Sequence, residues 1–243
     1  MSTAIAFALI ASAALPLGAW IGAWRPPSDY VTAALLAFAS GALITAVAFE
    51  LFEDAYTGGG AWRAGVAFLA GATAFILVDT PLEKKNREQK EQVRAGRTAG
   101  AAVGFALLAG VTLDGIPENL AMGVGLIDSA SPTLLVAIFA SNLPEAMAGA
   151  VKMRAAGLER GRILAIWSGA AVLLAIPVIV GYGLLEGVSQ TTLAWPLGFA
   201  AGAVLASLAD TLMPEAFEGS KGTPSIAYFT AIGFLVSFIV STL

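Results

Sequence analysis

Apolar stretches long enough to cross a bilayer recur along this chain, at about 2 to 24, 30 to 52, 61 to 81, 98 to 127, 133 to 153, 162 to 185, 191 to 217 and 225 to 243. A hydrocarbon core needs roughly 20 apolar residues of helix to span it, and lipid offers nothing to an unpaired backbone N–H or C=O. The expected fold class is therefore all-α: a polytopic membrane protein of eight transmembrane helices, in a single transmembrane domain covering 1–243. Composition agrees, with 58% hydrophobic and 12% charged residues and a mean hydropathy of +0.81. Turn-forming stretches separate the windows: RPPSD, TGGG, DSASP, GVSQTT and EGSKGTPS. The first window has no basic residues before it and reads as a spanning helix rather than a cleaved signal.

Charge sets the orientation. The stretch EKKNREQKEQVRAGR, 83–97, reads as a cytoplasmic charged loop, because Lys84, Lys85, Arg87, Lys90, Arg94 and Arg97 fall within it. Alternation then puts Arg25, Lys152, Arg154, Arg160, Arg162 and Lys221 on the same side, so that of 13 basic residues Arg63 alone lies outside. The expectation is a multi-pass protein of the cytoplasmic (inner) membrane with both termini outside. Trp20, Trp24, Trp62, Trp195, Tyr30, Tyr56 and Tyr228 lie near helix ends, as an interfacial aromatic belt requires. Lipid is the expected surrounding and no nucleic-acid partner is expected. Gly100, Gly104 and other small residues permit close helix packing, either within the chain or in a homodimer.

Two internal similarities suggest an inverted repeat. LDGIPENLAMG on the fourth helix echoes SNLPEAMAG on the fifth, matching Pro117 to Pro144 and Glu118 to Glu145. SGALITAVAFELFEDA at 40–55 echoes AGAVLASLADTLMPEA at 201–216. Helices one to three would then repeat as six to eight, around a central pair of helices four and five.

The central pair carries the chemistry. An ionised carboxylate near the bilayer centre costs at least about 2.5 kcal/mol, so such acids face a cavity and find a partner. Asp114 and Glu118 are one helical turn apart, as are Ser141 and Glu145, with Asn142 close to the same face. If the helices cross at their Pro-Glu dipeptides, these oxygens converge. No Lys or Arg lies in the middle of any expected helix to neutralise them, so a proton or a divalent cation must supply the counter-charge. Each proline lacks an N–H and loosens its helix: Pro117 should free the carbonyl of Leu113, and Pro144 that of Ala140. Glu50, Glu53 and Asp54 at one helix end, and Asp210, Glu215 and Glu218 towards the other side, are either solvated helix ends or stations on an access or exit pathway. Asp79 reads as a structural partner of Lys84 or Lys85.

At these residues the sequence resembles the ZIP (Zrt-/Irt-like) family, whose members carry divalent metals through eight helices with both termini outside. DGIPEN at 114–119 is similar to the family's fourth-helix HNxPEG, and SNLPEA at 141–146 to its fifth-helix (H/Q)(N/D)xPEG. FAAGAVLASLADTLMPEA on the seventh helix is similar to AAGAMLxxVxDELIPE. The resemblance implies that Asp114, Glu118, Ser141 and Glu145 form one metal position, and that Asn142, with Glu118 and Glu145 as bridging carboxylates, contributes to a second. The chain departs from the pattern in three places. Asp114 stands where the family has histidine, Gly115 where it has asparagine, and Ile176 where a sixth-helix acid precedes proline. The chain has no His at all, so the family's histidine-rich loop is missing its ligands. These departures deplete the second position more than the first, favouring one bound ion over a pair, and they replace imidazole with oxygen. Oxygen donors suit Mn²⁺, while Irving–Williams order still lets Fe²⁺ or Zn²⁺ compete.

The leading expectation is a divalent metal ion transporter, its cargo Mn, Fe or Zn, with no organic cofactor. A degenerate, non-transporting homologue that acts as metal sensor or scaffold is the alternative. An intramembrane aspartyl protease, suggested by acids in LVDTP and LADT, fits less well, because the paired acids lie on the proline-broken helices; the chain is not expected to be an enzyme.

Overall fold

A computed structural model describes residues 1–94, 100–127, 132–219 and 223–242. The end of the basic stretch at 95–97, the first four residues of the DSASP turn at 128–131 and residues 220–222 lie outside it. So do the side-chain surroundings of 82–83, 85–94 and 100–107, which include Gly100 and Gly104.

Among the described residues the chain is all-helical. The order is α1 (Ser2–Trp24), α2 (Asp29–Ala46), a π-helical turn (Val47–Phe52), α3 (Glu53–Arg94), α4 (Gly100–Gly125), α5 (Pro132–Ala155), α6 (Arg160–Leu185), α7 (Gln190–Ser207), a second π-helical turn (Leu208–Leu212), α8 (Met213–Gly219) and α9 (Ser225–Ser241). Among the described residues, five stretches are long and apolar enough to cross a membrane: Ser2–Trp24, Asp29–Pro81, Pro132–Ala155, Arg160–Leu185 and Gln190–Glu218. The longest cannot be one rod. Gly60, at φ 77° and ψ 167°, breaks it in a conformation that a residue with a Cβ avoids. Gly60 is the last residue of the TGGG turn that the sequence suggests, while Thr57, Gly58 and Gly59 before it stay helical. The basic stretch from 83 continues α3 as helix to Arg94.

Small residues decide how these helices pack. α1 packs against α5 and α6, α2 against α9 and α5, α3 against α7, and α4 against α6. Among the described residues, glycines on one helix repeatedly touch a backbone carbonyl on a neighbour, so that no Cβ would fit: Gly41 on Thr230 and Gly233 on Phe38 between α2 and α9, Gly202 on Phe68 and Gly71 on Phe199 between α7 and α3, Gly18 on Leu143 and Gly22 on Met147 between α1 and α5, and Gly123 on Val178 between α4 and α6. Hydrogen bonds reinforce the α2–α9 contact, from Thr45 Oγ1 to the Phe234 carbonyl (3.0 Å) and from Ser237 Oγ to the Ala42 carbonyl (3.2 Å). In lipid, where apolar side chains gain nothing by leaving one hydrocarbon for another, such close backbone approach supplies the packing that holds helices together.

The α2 and α7 rods share more than their glycines. Ser28 caps α2 by accepting from the Val31 N–H, and Ser189 caps α7 by accepting from the Thr192 N–H. Both rods lead into a π-helical turn, beginning at Val47 and at Leu208. α1 and α6 each carry an internal proline, Pro16 and Pro177. A clamp joins the ends of these two: the Arg160 guanidinium lies 5.6 Å from the centre of the Trp24 ring and donates from Nε to the Ala23 carbonyl.

Candidate metal site

α4 and α5 both continue as helix through their prolines, Pro117 and Pro144. Local geometry thus keeps Asp114 and Glu118 one turn apart on α4, and Ser141, Asn142 and Glu145 within one turn on α5. Asp114 and Glu118 are 7% and 5% exposed, Ser141 is fully buried and Asn142 is 2% exposed. Glu145 is half-buried. Glu118 lies within electrostatic range of Asp114, and Glu145 within range of both. Asp114 also lies within range of Asp79, Asp210 and Glu215. Among the described residues, however, no three carboxylates meet closely enough to hold an ion by themselves.

Ser207, at the end of α7, donates from Oγ to Asp114 Oδ1 at 2.8 Å. This ties one carboxylate oxygen to a third helix and fixes the rotamer of a buried acid. The sequence hid it: Ser207 is 93 residues away in the chain and falls on an unspecified position of the seventh-helix pattern. Asn119, fully buried, donates from Nδ2 to the Gly115 carbonyl (2.8 Å), while its Oδ1 has no hydrogen-bond partner among the described residues. The Asn142 amide nitrogen likewise has none. Ser141 donates to the Ile138 carbonyl one turn back (3.0 Å), leaving its lone pairs free to accept. Two orphaned amide atoms in so buried a place are unusual, since buried polar groups are nearly always paired.

α6 contributes no acid here. Ile176, the residue before Pro177, is 49% exposed and turned out of the bundle. The buried α6 side chain next to the Asp114 turn is Leu174, whose Cδ1 would lie 2.6 Å from a Cβ placed on Gly115. Glycine at 115 and leucine at 174 thus fit each other.

The remaining acids divide between two ends. Glu50 and Asp54 line a cleft together with Leu51, Met122, Gly125, Leu126 and Leu134, which connects the π-helical turn to the end of α4 and the start of α5. Glu53 is exposed beside it and does not line it. At the other end, Glu215 pairs with Lys152 from α5, while Asp210 and Glu218 are exposed. With side chains 45% and 33% exposed, a pair of this kind is worth on the order of 0–1 kcal/mol.

No protein-family model matches the chain. It is 29% identical over 239 residues to the zinc transporter ZupT of Stenotrophomonas maltophilia (strain K279a), an alignment that spans 92% of this chain and 89% of that protein. The similarity therefore runs along nearly the full length of both chains. The relative is a transporter and not an enzyme.

Proposed function

We propose that this protein is a ZIP-type transporter that carries divalent metal ions across the cytoplasmic membrane, using α4 and α5 as its metal site. The observation that carries the reading is the set of carboxylates Asp114, Glu118 and Glu145, gathered in mutual electrostatic range inside a lipid-spanning bundle, with no Lys or Arg in the middle of any spanning helix. Such a site is tolerable only when it takes up positive charge, and a passing cation supplies it. Similarity to a zinc transporter over nearly the full length supports the same reading.

Eight spans and an inverted repeat are part of the proposal. Gly60 splits the longest helix in two, and the paired features of α2 and α7 support the repeat. Gly41 precedes Val47 by six residues as Gly202 precedes Leu208, and both glycines lie on a neighbour's carbonyl. The Lys152 end is the cytoplasmic one by the distribution of basic residues.

The metal is held by Asp114, Glu118 and Glu145, with Ser141, Asn142 and Ser207 completing or orienting the set. Since the three carboxylates do not close on an ion alone, hydroxyl, amide and freed carbonyl oxygens must take part, a donor set that suits Mn²⁺ and Fe²⁺ at least as well as Zn²⁺. The same openness of the site, together with the missing sixth-helix acid, favours the second reading, a metal-binding homologue that does not transport.

Flux into proteoliposomes separates them. Glu118→Gln and Glu145→Gln are each expected to abolish Mn²⁺, Fe²⁺ and Zn²⁺ uptake while the protein stays folded; normal uptake by both would remove the site from α4 and α5. Binding without flux in the unaltered chain would support the sensor. Asp114→His is expected to raise preference for Zn²⁺ over Mn²⁺, and an unchanged order would exclude Asp114 as a ligand.

A further inference from the structure

The two ends of the α4–α5 pair hold equivalent positions but different chemistry. Gly125 stands eight residues after Pro117, and Lys152 eight residues after Pro144. Asp54 stands seven residues after Val47, where the first π-helical turn begins, and Glu215 seven residues after Leu208, where the second begins. At one end the acid and the glycine line a common cleft. At the other, the corresponding acid and the corresponding residue meet as an ion pair. A long cationic side chain therefore occupies the place that its counterpart leaves as open space.

The position of Lys152 gives that pair a relation to the metal site. Lys152 lies two turns beyond Glu145 on α5, about 10 Å along the axis, and Glu145 lies within electrostatic range of both Lys152 and Glu215. Arg154, the neighbouring cation, donates instead to the Leu158 carbonyl (2.7 Å). Asp210 and Glu218 are exposed on their own rod, and Lys152 meets neither. Lys is suited to such a post: its ammonium is a compact point charge on a flexible stem, able to leave one carboxylate without breaking a bidentate geometry.

We propose that Lys152 is a tethered counter-cation that closes this end of the pathway, its ammonium holding Glu215 until a departing divalent ion displaces it. Resting on the transport reading above, it makes Glu215 the station where metal leaves and Lys152 the residue that keeps the station filled between ions. The partial exposure of the pair is in keeping with this, because a latch has to be weak enough for a divalent cation to open.

The chain contains no cysteine, so a single one reports accessibility cleanly. Ala148 lies on α5 between Glu145 and Lys152, on the face they share. Ala148→Cys protein in lipid nanodiscs, open to reagent on both faces, is labelled with a membrane-impermeant maleimide. Lys152→Ala is expected to raise the labelling rate about fivefold, the factor matching the upper range for an exposed ion pair. Lys152→Glu with Glu215→Lys should restore the slow rate, and Mn²⁺ should accelerate labelling when the native pair is intact but not in Lys152→Ala. An unchanged rate in Lys152→Ala, failure of the exchanged pair to restore it, or indifference of the native pair to Mn²⁺ would each overturn the latch. None of these readouts needs flux. Absence of uptake by the unaltered chain, measured separately in proteoliposomes, would instead overturn the transport reading.

Discussion

The α2–α9 and α3–α7 contacts differ from the face that α4 and α5 turn toward each other, although α4 and α5 pack outward on α6 and α1 through glycines of the same kind. In the first, glycines lie directly on neighbouring carbonyls, and between α2 and α9 threonine and serine donate across the gap. In the second, two amide atoms have no partner among the described residues, and the carboxylates do not close on an ion by themselves. A frame packed to backbone contact resists change, whereas a centre with spare donors and acceptors can accept an ion and give it up again. Stability and function are thus assigned to different contacts, and substitutions should separate them.

The largest effect is expected in the frame. Gly41→Ala or Gly202→Ala drives a methyl group into a carbonyl, at a cost of about 1–3 kcal/mol each, and the double variant should fail to yield folded protein. Gly169→Ala in α6, where an added Cβ meets nothing within 4 Å, should be neutral or stabilise by up to about 1 kcal/mol. Thermal unfolding in detergent measures all three. Equal behaviour of Gly41 and Gly169 variants would erase the distinction between frame and open helix face.

Next comes the loss of uptake in Glu118→Gln and Glu145→Gln, for which the comparison adds an expectation about stability. Removing a carboxylate whose ionised form costs at least about 2.5 kcal/mol at mid-membrane should leave the fold intact or strengthen it. A marked loss of stability would make these acids structural. Smaller again is the effect of Ser207→Ala. Losing the hydroxyl that orients Asp114 should weaken Mn²⁺ binding about 10- to 100-fold, the usual consequence of removing a ligand's own partner, with little change in unfolding temperature. Binding calorimetry on the purified protein tests this.

Much of the frame was legible in the sequence, because membrane helices announce themselves by length and apolarity. Both serine caps and Pro16 and Pro177 stand where those windows start or bend. The reading stopped short where local chemistry and continuation disagree. The whole of TGGG looks like a turn and the break does fall within it, yet Gly60 alone makes it. The charged run from 83 looks like a loop because it leaves the membrane, yet it contains nothing to break a helix before Arg94. At the centre, Asp114, Glu118, Ser141, Asn142 and Glu145 could be named because proline and acid in an apolar segment are conspicuous. Ser207 and Lys152 could not, since each is an ordinary residue whose significance comes from a partner 93 or 63 positions away. Ile176 shows the converse: a pattern aligned on Pro177 pointed to it, while the packing turns Leu174 inward instead.

Each π-helical turn winds one surplus residue into its rod, which rotates everything beyond it by about 100° relative to an unbroken α-helix. Asp54 and Glu215 both lie past such a turn. Deleting a single residue from Val47–Phe52 or Leu208–Leu212 would therefore swing the acid off its present bearing, away from the end of the central pair, with no acidic group removed from the chain.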